Sequence, residues 1–315
     1  MGDYSTPAPE TATFHHANDQ PYSLQHNHLA ACRLNLQHYL WREVFQFNLH
    51  PSIPIPIPNP TSTSTSNSET NPPLIADIAC GTALWLIDMS HQLPHAHLDG
   101  FDIDLTQAPP PQWLPENITL REWDALTPVP ADLHGRYDIV HVRLAVLFLS
   151  GRDVDPAPFI RNLYSLLKPG GWVQWDELDC VRMCVKKITT TPSSFSSFSC
   201  CLGGDDTPAL EELRVACSAD GRHDWAVGIA GMLEKEGFVD TRTEGFDEKD
   251  ELVRAFGDQH LLTMGEFGAK LGQGGKVKAA QRFGVLVEEA YREMVGRGAA
   301  LSIPRVVGVG RKPVL

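Results

Sequence analysis

The stretch IADIACGTALW, residues 75–85, changes character twice. Ile75-Ala76-Asp77-Ile78-Ala79 is a short apolar run of strand length, Cys80-Gly81-Thr82-Ala83 are small, and Leu84-Trp85-Leu86-Ile87-Asp88-Met89 restarts as a helical segment. A strand, a tight turn and a helix N-terminus in succession let backbone approach a ligand closely at the carboxyl end of the strand. Two nucleotide-type ligands compete for such a turn. The dinucleotide fingerprint places glycines at 79, 81 and 84, where this chain has Ala79, Gly81 and Leu84, so it fits badly. The pattern present is an acid, Asp77, followed by small residues at alternate positions, Ala79, Gly81 and Ala83. That suits S-adenosylmethionine, whose sulfonium and ammonium welcome a nearby acid and which carries no phosphate.

From residue 74 onward the chain alternates strand and helix, the signature of a parallel sheet covered on both faces. Strands are predicted over 74–79, 97–103, 118–122, 137–143 and 171–177, with helices over 82–92 and 157–167. Beyond these come helical segments over 208–217 and 225–236, a strand GFVDTRTEGF, helices over 250–271 and 278–295, and a last strand IPRVVGVGRK. Ahead of them, Leu29, Cys32, Leu36, Tyr39, Leu40 and Val44 recur at helical spacing within residues 26–47. The domain reading is a disordered tail over 1–20, a helical lid segment over 21–52, a Pro/Ser/Thr-rich insertion over 53–73 and one α/β domain over 74–315. A second low-complexity insertion falls over about 186–207.

At 315 residues with 42% apolar content the chain can build a substantial core. No run reaches the ~18 apolar residues of a membrane span, and the N-terminus lacks the regions of a signal peptide. MGDYST matches the myristoylation pattern formally, but no basic patch follows to supply a second membrane signal. A net charge of −13 with scattered Lys and Arg argues against nucleic acid. Seven cysteines without an export signal read as free thiols, and Cys180, Cys184, Cys200 and Cys201 lack the spacing of a metal site. His15, His16, His26 and His28 read as solvent-exposed clustering. A cytoplasmic location follows, with a homodimer possible and no metal.

Ligands of a doubly wound sheet sit beyond the strand ends, and candidate residues gather there. Asp102 ends the second strand 21 residues past Gly81, with Ile103 beside it and Asp104 as the near alternative. Asp124 follows the third strand, where Ala125 and the ring or side chain of Trp123 or Leu126 can meet a base. His141 and Arg143 close the fourth, and His141 is equally readable as a core histidine. LLKPGGWVQWDELD combines a helix stopped by Pro169, a Gly170-Gly171 turn and a strand with Glu177 near its end.

In this order and spacing the motifs closely resemble the class I S-adenosylmethionine-dependent methyltransferases, in particular the fungal secondary-metabolism set with its velvet-associated regulators. The helix carrying Arg33-Leu34 and Gln37-His38 and the closing IPRVVGVGRKP support that subgroup. The resemblance covers residues 22–50, 74–180 and 225–313. It implies a Rossmann-like, doubly wound seven-stranded sheet whose last strand is antiparallel, with a helical lid. It also implies a cofactor site of Asp77, Ala79, Gly81, Thr82, Asp102, Ile103, Asp124, Ala125 and Arg143. Ala79 and Ala83 stand where glycine is commoner, which is tolerable provided φ stays negative there.

The implied reaction is methyl transfer to oxygen or nitrogen of a small molecule. Positioning does most of that work, so a base is optional; His141, His38, Glu177 and His260 are the candidates. A regulator that keeps the fold without turnover, and non-methyl chemistry such as cyclisation, are the alternatives.

Overall fold

The computed structural model describes residues 24–56, 72–149, 155–189, 197–201 and 206–314. The tail expected over 1–20 and most of the insertion expected over 53–73 lie outside the described residues. In chain order the elements are α1 (His28–Phe45), β1 (Leu74–Ile78), α2 (Leu84–Gln92), β2 (His97–Asp102), β3 (Ile118–Glu122) and β4 (Tyr137–Arg143). Next come α3 (Ala157–Leu166), β5 (Leu167–Leu178), β6 (Cys184–Thr189), β7 (Ser197–Cys201), α4 (Pro208–Ser218) and α5 (Ile229–Lys235). The chain closes with β8 (Val239–Phe246), α6 (Val253–Gln273), α7 (Val277–Arg297), β9 (Ala299–Ser302) and β10 (Arg305–Arg311).

Seven strands form one sheet in the order β3-β2-β1-β4-β5-β10-β8. β1 runs parallel to β2 and β4, β4 runs parallel to β5, and β10 runs antiparallel to both its neighbours. This is the doubly wound sheet with an antiparallel last strand that the motifs imply. Ile75, Ala76, Ile78, Ile139, Val140 and Val142 are all fully buried, which is why the central strands read as apolar runs rather than alternating ones. The chain leaves β1 toward β2 and later returns to β1's other side as β4, so the switch point opens between β1 and β4.

Three sequence expectations change. α3 stops at Leu166, and β5 begins at Leu167 rather than at 171. A residue preceding proline is pushed out of the helical region, and the Lys168–Gly171 segment is then stitched to the chain's end by Gly170 N–H to Lys312 O at 2.9 Å and Lys312 N–H to Gly171 O at 2.8 Å. The insertion expected over 186–207 contains β6 and β7, which join β9 in a second sheet of order β7-β6-β9. Its Ser/Thr composition hid the strands, and β6 takes its second neighbour, β9, from far along the chain. Val185, Leu210, Leu213, Phe283, Leu286 and Leu301 make a separate apolar cluster beneath that sheet. Cys184 is disulfide-bonded, which corrects the reading of seven free thiols; Cys32, Cys80, Cys180 and Cys217 are free.

The buried face of α1 also differs from the apolar stripe. Leu29, Cys32 and Tyr39 face solvent, whereas Arg33, Gln37, His38, Leu40, Trp41, Val44 and Phe45 are buried. The polar residues of that face find partners across the interface: Arg33 Nε donates to Glu266 Oε1 of α6 at 2.6 Å and Nη2 to Oε2 at 3.3 Å. A bidentate pair of this kind fixes a helix's rotation as well as its place. Asn27 caps the helix by accepting from the N–H groups of Leu29 and Ala30, both at 3.0 Å.

Candidate functional site

The turn after β1 is held to the end of β2. Cys80 N–H donates to Phe101 O at 3.0 Å, Ala83 N–H to Cys80 O at 2.8 Å, and Gly81 N–H to the Asp102 carboxylate at 2.8 Å. Ala79, Gly81 and Ala83 adopt φ of 59°, 52° and 58°. The condition that φ stay negative at the alanines therefore fails, and both pay a left-handed penalty that glycine avoids. We expect Ala79→Gly and Ala83→Gly each to raise stability by about 0.5–1 kcal/mol, the relief of the left-handed penalty exceeding the added chain entropy, measured by urea unfolding.

Around this turn a cleft opens at the carboxyl edge of the sheet. Every cofactor-site candidate lines it: Asp77, Ala79, Gly81, Thr82, Asp102, Ile103, Asp124, Ala125 and Arg143. Asp102 faces the cleft, and burial raises its carboxyl against the lowering effect of the Gly81 and Asp104 N–H groups. Asp104 instead turns out to meet His26 Nδ1 at 2.5 Å; hydrogen bonds from Thr106 and then His26 hold it down at about 2. His26 is thus paired at the cleft's rim, not a member of a loose solvent-exposed cluster. Ile103 is 52% and Leu126 40% exposed although both line the cleft, so apolar surface is presented beside the Asp102 and Asp124 carboxylates. That acceptor and surface set, one acid for a sugar diol and another with apolar faces for a purine, fits an adenosyl group.

The four candidates for a base separate. His38 and His141 line the cleft, whereas Glu177 and His260 do not. Glu177 is fully buried, accepts from Trp175 Nε1 at 2.9 Å and Val146 N–H at 3.0 Å, and is pushed up to about 8 by burial. His260 packs on α6 near Glu248 and Phe256, and burial lowers it. His141 has Asp77 Oδ1 at 2.7 Å from Nδ1 and Asp176 Oδ2 at 3.1 Å from Nε2, with Trp85 stacked on the ring at 4.0 Å. Such a ring has no free lone pair for substrate. His38 places Nε2 2.9 Å from Asp88 Oδ2, and burial, followed by the Arg143 charge, pushes it down to about 4. It is neutral at pH 7, with Nε2–H on Asp88 and Nδ1 accepting from Arg143 Nη1 at 3.5 Å.

Arg143 itself donates to Asp176 through Nε at 3.1 Å and Nη2 at 2.8 Å and lies over the Trp41 ring. Leu147 and Phe148, on a turn just past β4, add apolar wall that the sequence reading missed; the left-handed Leu144, with φ of 62°, starts that turn and carried no glycine signal. Gln107 was also missed, since it lies in the loop after β2 rather than at a strand end.

No family model matches the chain. It is 43% identical over 116 residues to methyltransferase grgD of a Penicillium species, covering 33% of this chain and 38% of that protein. Against N-methyltransferase tcpN of Claviceps purpurea it is 36% identical over 104 residues, 33% of this chain and 37% of the relative. Over about a third of its length the chain is related to named fungal methyltransferases. A protein named as a regulator matches as well: the secondary metabolism regulator LAE1 of Cochliobolus heterostrophus is 31% identical over 121 residues, 36% of this chain and 34% of that one. The chain thus matches little more than a third of the length of each of these relatives. Among solved structures, a methyltransferase from Mesorhizobium loti aligns with a TM-score of 0.41 at 17% identity, over 76% of this chain and 90% of that one. The fold rests on the strand order, not on a likeness of that size. Among the described residues no helix is long and apolar enough to cross a membrane, and no group of His, Cys, Asp and Glu is arranged to hold a metal ion.

Proposed function

We propose that the cleft binds S-adenosylmethionine and that the protein transfers its methyl group to a nitrogen of a small, largely apolar secondary metabolite. The observation that carries the reading is the Asp102 carboxylate, fixed on the Gly81 N–H while still facing the cleft. When bound, the cofactor supplies an electrophilic methyl group on a positively charged sulfur. The chain's residues hold and orient the reactants and exclude water, which for well-placed reactants is worth on the order of 7–11 kcal/mol. Asp102 and Asp124 hold the adenosyl end, Leu147 and Phe148 wall the apolar side, and His38, oriented by Asp88, lines the cleft beside Arg143.

Nitrogen is favoured over oxygen by the bases. An amine attacks with its own lone pair, whereas a hydroxyl of high pKa needs a base matched to it. His38 at about 4 is a poor one, and His141 is committed to two carboxylates. The name of tcpN points the same way.

Calorimetry with S-adenosylhomocysteine tests the reading. Wild type is expected to bind, and Asp102→Ala to bind at least ~tenfold more weakly, since a hydrogen bond to a charged acceptor is worth about 1.5–3 kcal/mol. Heat from a nicotinamide dinucleotide but none from S-adenosylhomocysteine would overturn it. The similarity to LAE1 favours a second reading, a regulator that binds the cofactor without turnover. Mass spectrometry for a methylated product from a panel of secondary amines separates the two.

A further inference from the structure

His141 is buried with both ring nitrogens facing carboxylates, Asp77 on β1 at 2.7 Å and Asp176 on β5 at 3.1 Å. The ring is 1% exposed, Asp77 3% and Asp176 not at all, so water cannot relieve a mismatch. An ionised carboxylate only accepts, and a neutral imidazole has one N–H. Neutral His141 would therefore turn a nitrogen lone pair toward a carboxylate lone pair inside the fold.

We propose that His141 is an imidazolium at neutral pH and a positioning residue, whose two N–H groups tie the carboxyl end of β1 to that of β5 and so fix the turn over 79–83 for the cofactor. The consequence for the cofactor rests on the function proposed above; the protonation state does not. Asp77 sits just ahead of Ala79, where the left-handed turn begins, so an unfastened carboxylate there would loosen the strained segment first.

The surrounding charges are consistent with this state. Asp77 faces the ring from β1 and Asp176 from β5; Arg143, farther along His141's own strand, binds Asp176. His38 of α1 reaches Arg143, and α2 packs the uncharged Trp85 ring against His141. Two carboxylates thus meet two cations. Removing the His141 proton leaves two buried carboxylates against one guanidinium, an imbalance the interior tolerates poorly. Burial alone would lower the imidazole, but Asp77 and then Asp176 outweigh it and hold it above its ordinary value. A raised folded value means that the stabilisation is complete below the unfolded value and is lost as pH rises through the folded one.

The test uses the full chain labelled with nitrogen-15. Long-range proton–nitrogen correlation should show one histidine with both ring nitrogens protonated at a pH where exposed histidines have lost a proton, shifted by the Trp85 ring current and absent in His141→Gln. In calorimetry, wild-type affinity for S-adenosylhomocysteine should step down as that signal deprotonates. His141→Gln should bind about tenfold or more weakly at neutral pH, the equivalent of one charge-assisted hydrogen bond, and show no step. A purely structural side chain would not produce the step. If His141→Gln does not fold, the wild-type spectrum and pH profile decide. A bare His141 nitrogen at neutral pH, or titration together with the exposed histidines, overturns the proposal. An intact imidazolium with no affinity for S-adenosylhomocysteine at any pH overturns the cofactor role instead.

Discussion

Asp176→Ala is expected to lose about 3–5 kcal/mol of folding free energy, the range for breaking a buried charged pair by removing one partner. Its Oδ2 accepts from Arg143 Nη2 and Nε and faces His141 Nε2, while Oδ1 accepts from Gln174 Nε2 at 3.0 Å. The carboxylate is completely buried, and although burial opposes it, the Arg143 and His141 charges hold its pKa below the usual range. Truncation leaves both cations facing a void. It also frees Gln174, which otherwise donates to Asn48 O at 3.0 Å and accepts from His50 N–H at 2.7 Å, so the segment leaving α1 loses its anchor to β5. The measurement is the urea midpoint with an unchanged slope, which separates stability from a change in compactness. A loss below about 1 kcal/mol, the ordinary size of a point-mutant effect, would show that solvent reaches this group. Asp176→Asn should recover only part of the loss, because its amide carries no charge to offset Arg143 and His141 and turns an NH2 toward the Gln174 Nε2 donor.

How much of this was legible in sequence depends on how local the determining contact is. β1 and β4 were readable because each is a short run dominated by buried apolar residues, and Asp102 because it ends the strand paired beside the Gly81 turn. The backbone conformation of Ala79 and Ala83 was not readable: alanine's side chain argues against φ near 60°, and only the bonds to β2 impose it. His141 and Glu177 carry chemistry-bearing side chains at strand ends, yet what they do depends on neighbouring strands: one is clamped between two carboxylates, the other closed in by Trp175 and Val146. His38 became distinguishable from His260 only through Asp88 on α2, a contact across fifty residues. α1 misled because helical spacing of apolar residues assumes one apolar neighbour, whereas its buried face meets Glu266 and Asp88.

Arg305 gives the second large expectation, and it has two signs. Arg305 and Glu248 are fully buried and joined by Nη1 to Oε1 at 2.6 Å, with the guanidinium 3.7 Å from the Phe256 ring centroid and 5.4 Å from that of Trp41. The pair ties the start of β10 to the loop ahead of α6, where the second apolar cluster joins the main sheet. Arg305→Met alone strands the Glu248 carboxylate and should cost about 3–5 kcal/mol. Yet the pair is incompletely satisfied, since Arg305 Nε and Nη2 and Glu248 Oε2 have no partner among the described residues. Desolvation is therefore poorly offset, and replacing both by methionine should be neutral or stabilising, by up to about 4 kcal/mol relative to wild type. Glu248, lowered to about 2 by the His260 hydrogen bond and the Arg305 charge against the larger opposing effect of burial, contributes stability above its unfolded value that is lost as pH falls toward about 2. The double variant should lack that acid limb. Urea unfolding of the two singles and the double at neutral and acid pH closes the cycle; a double variant as unstable as Arg305→Met would show that the ion pair itself, not the avoidance of a lone buried charge, holds the two units together.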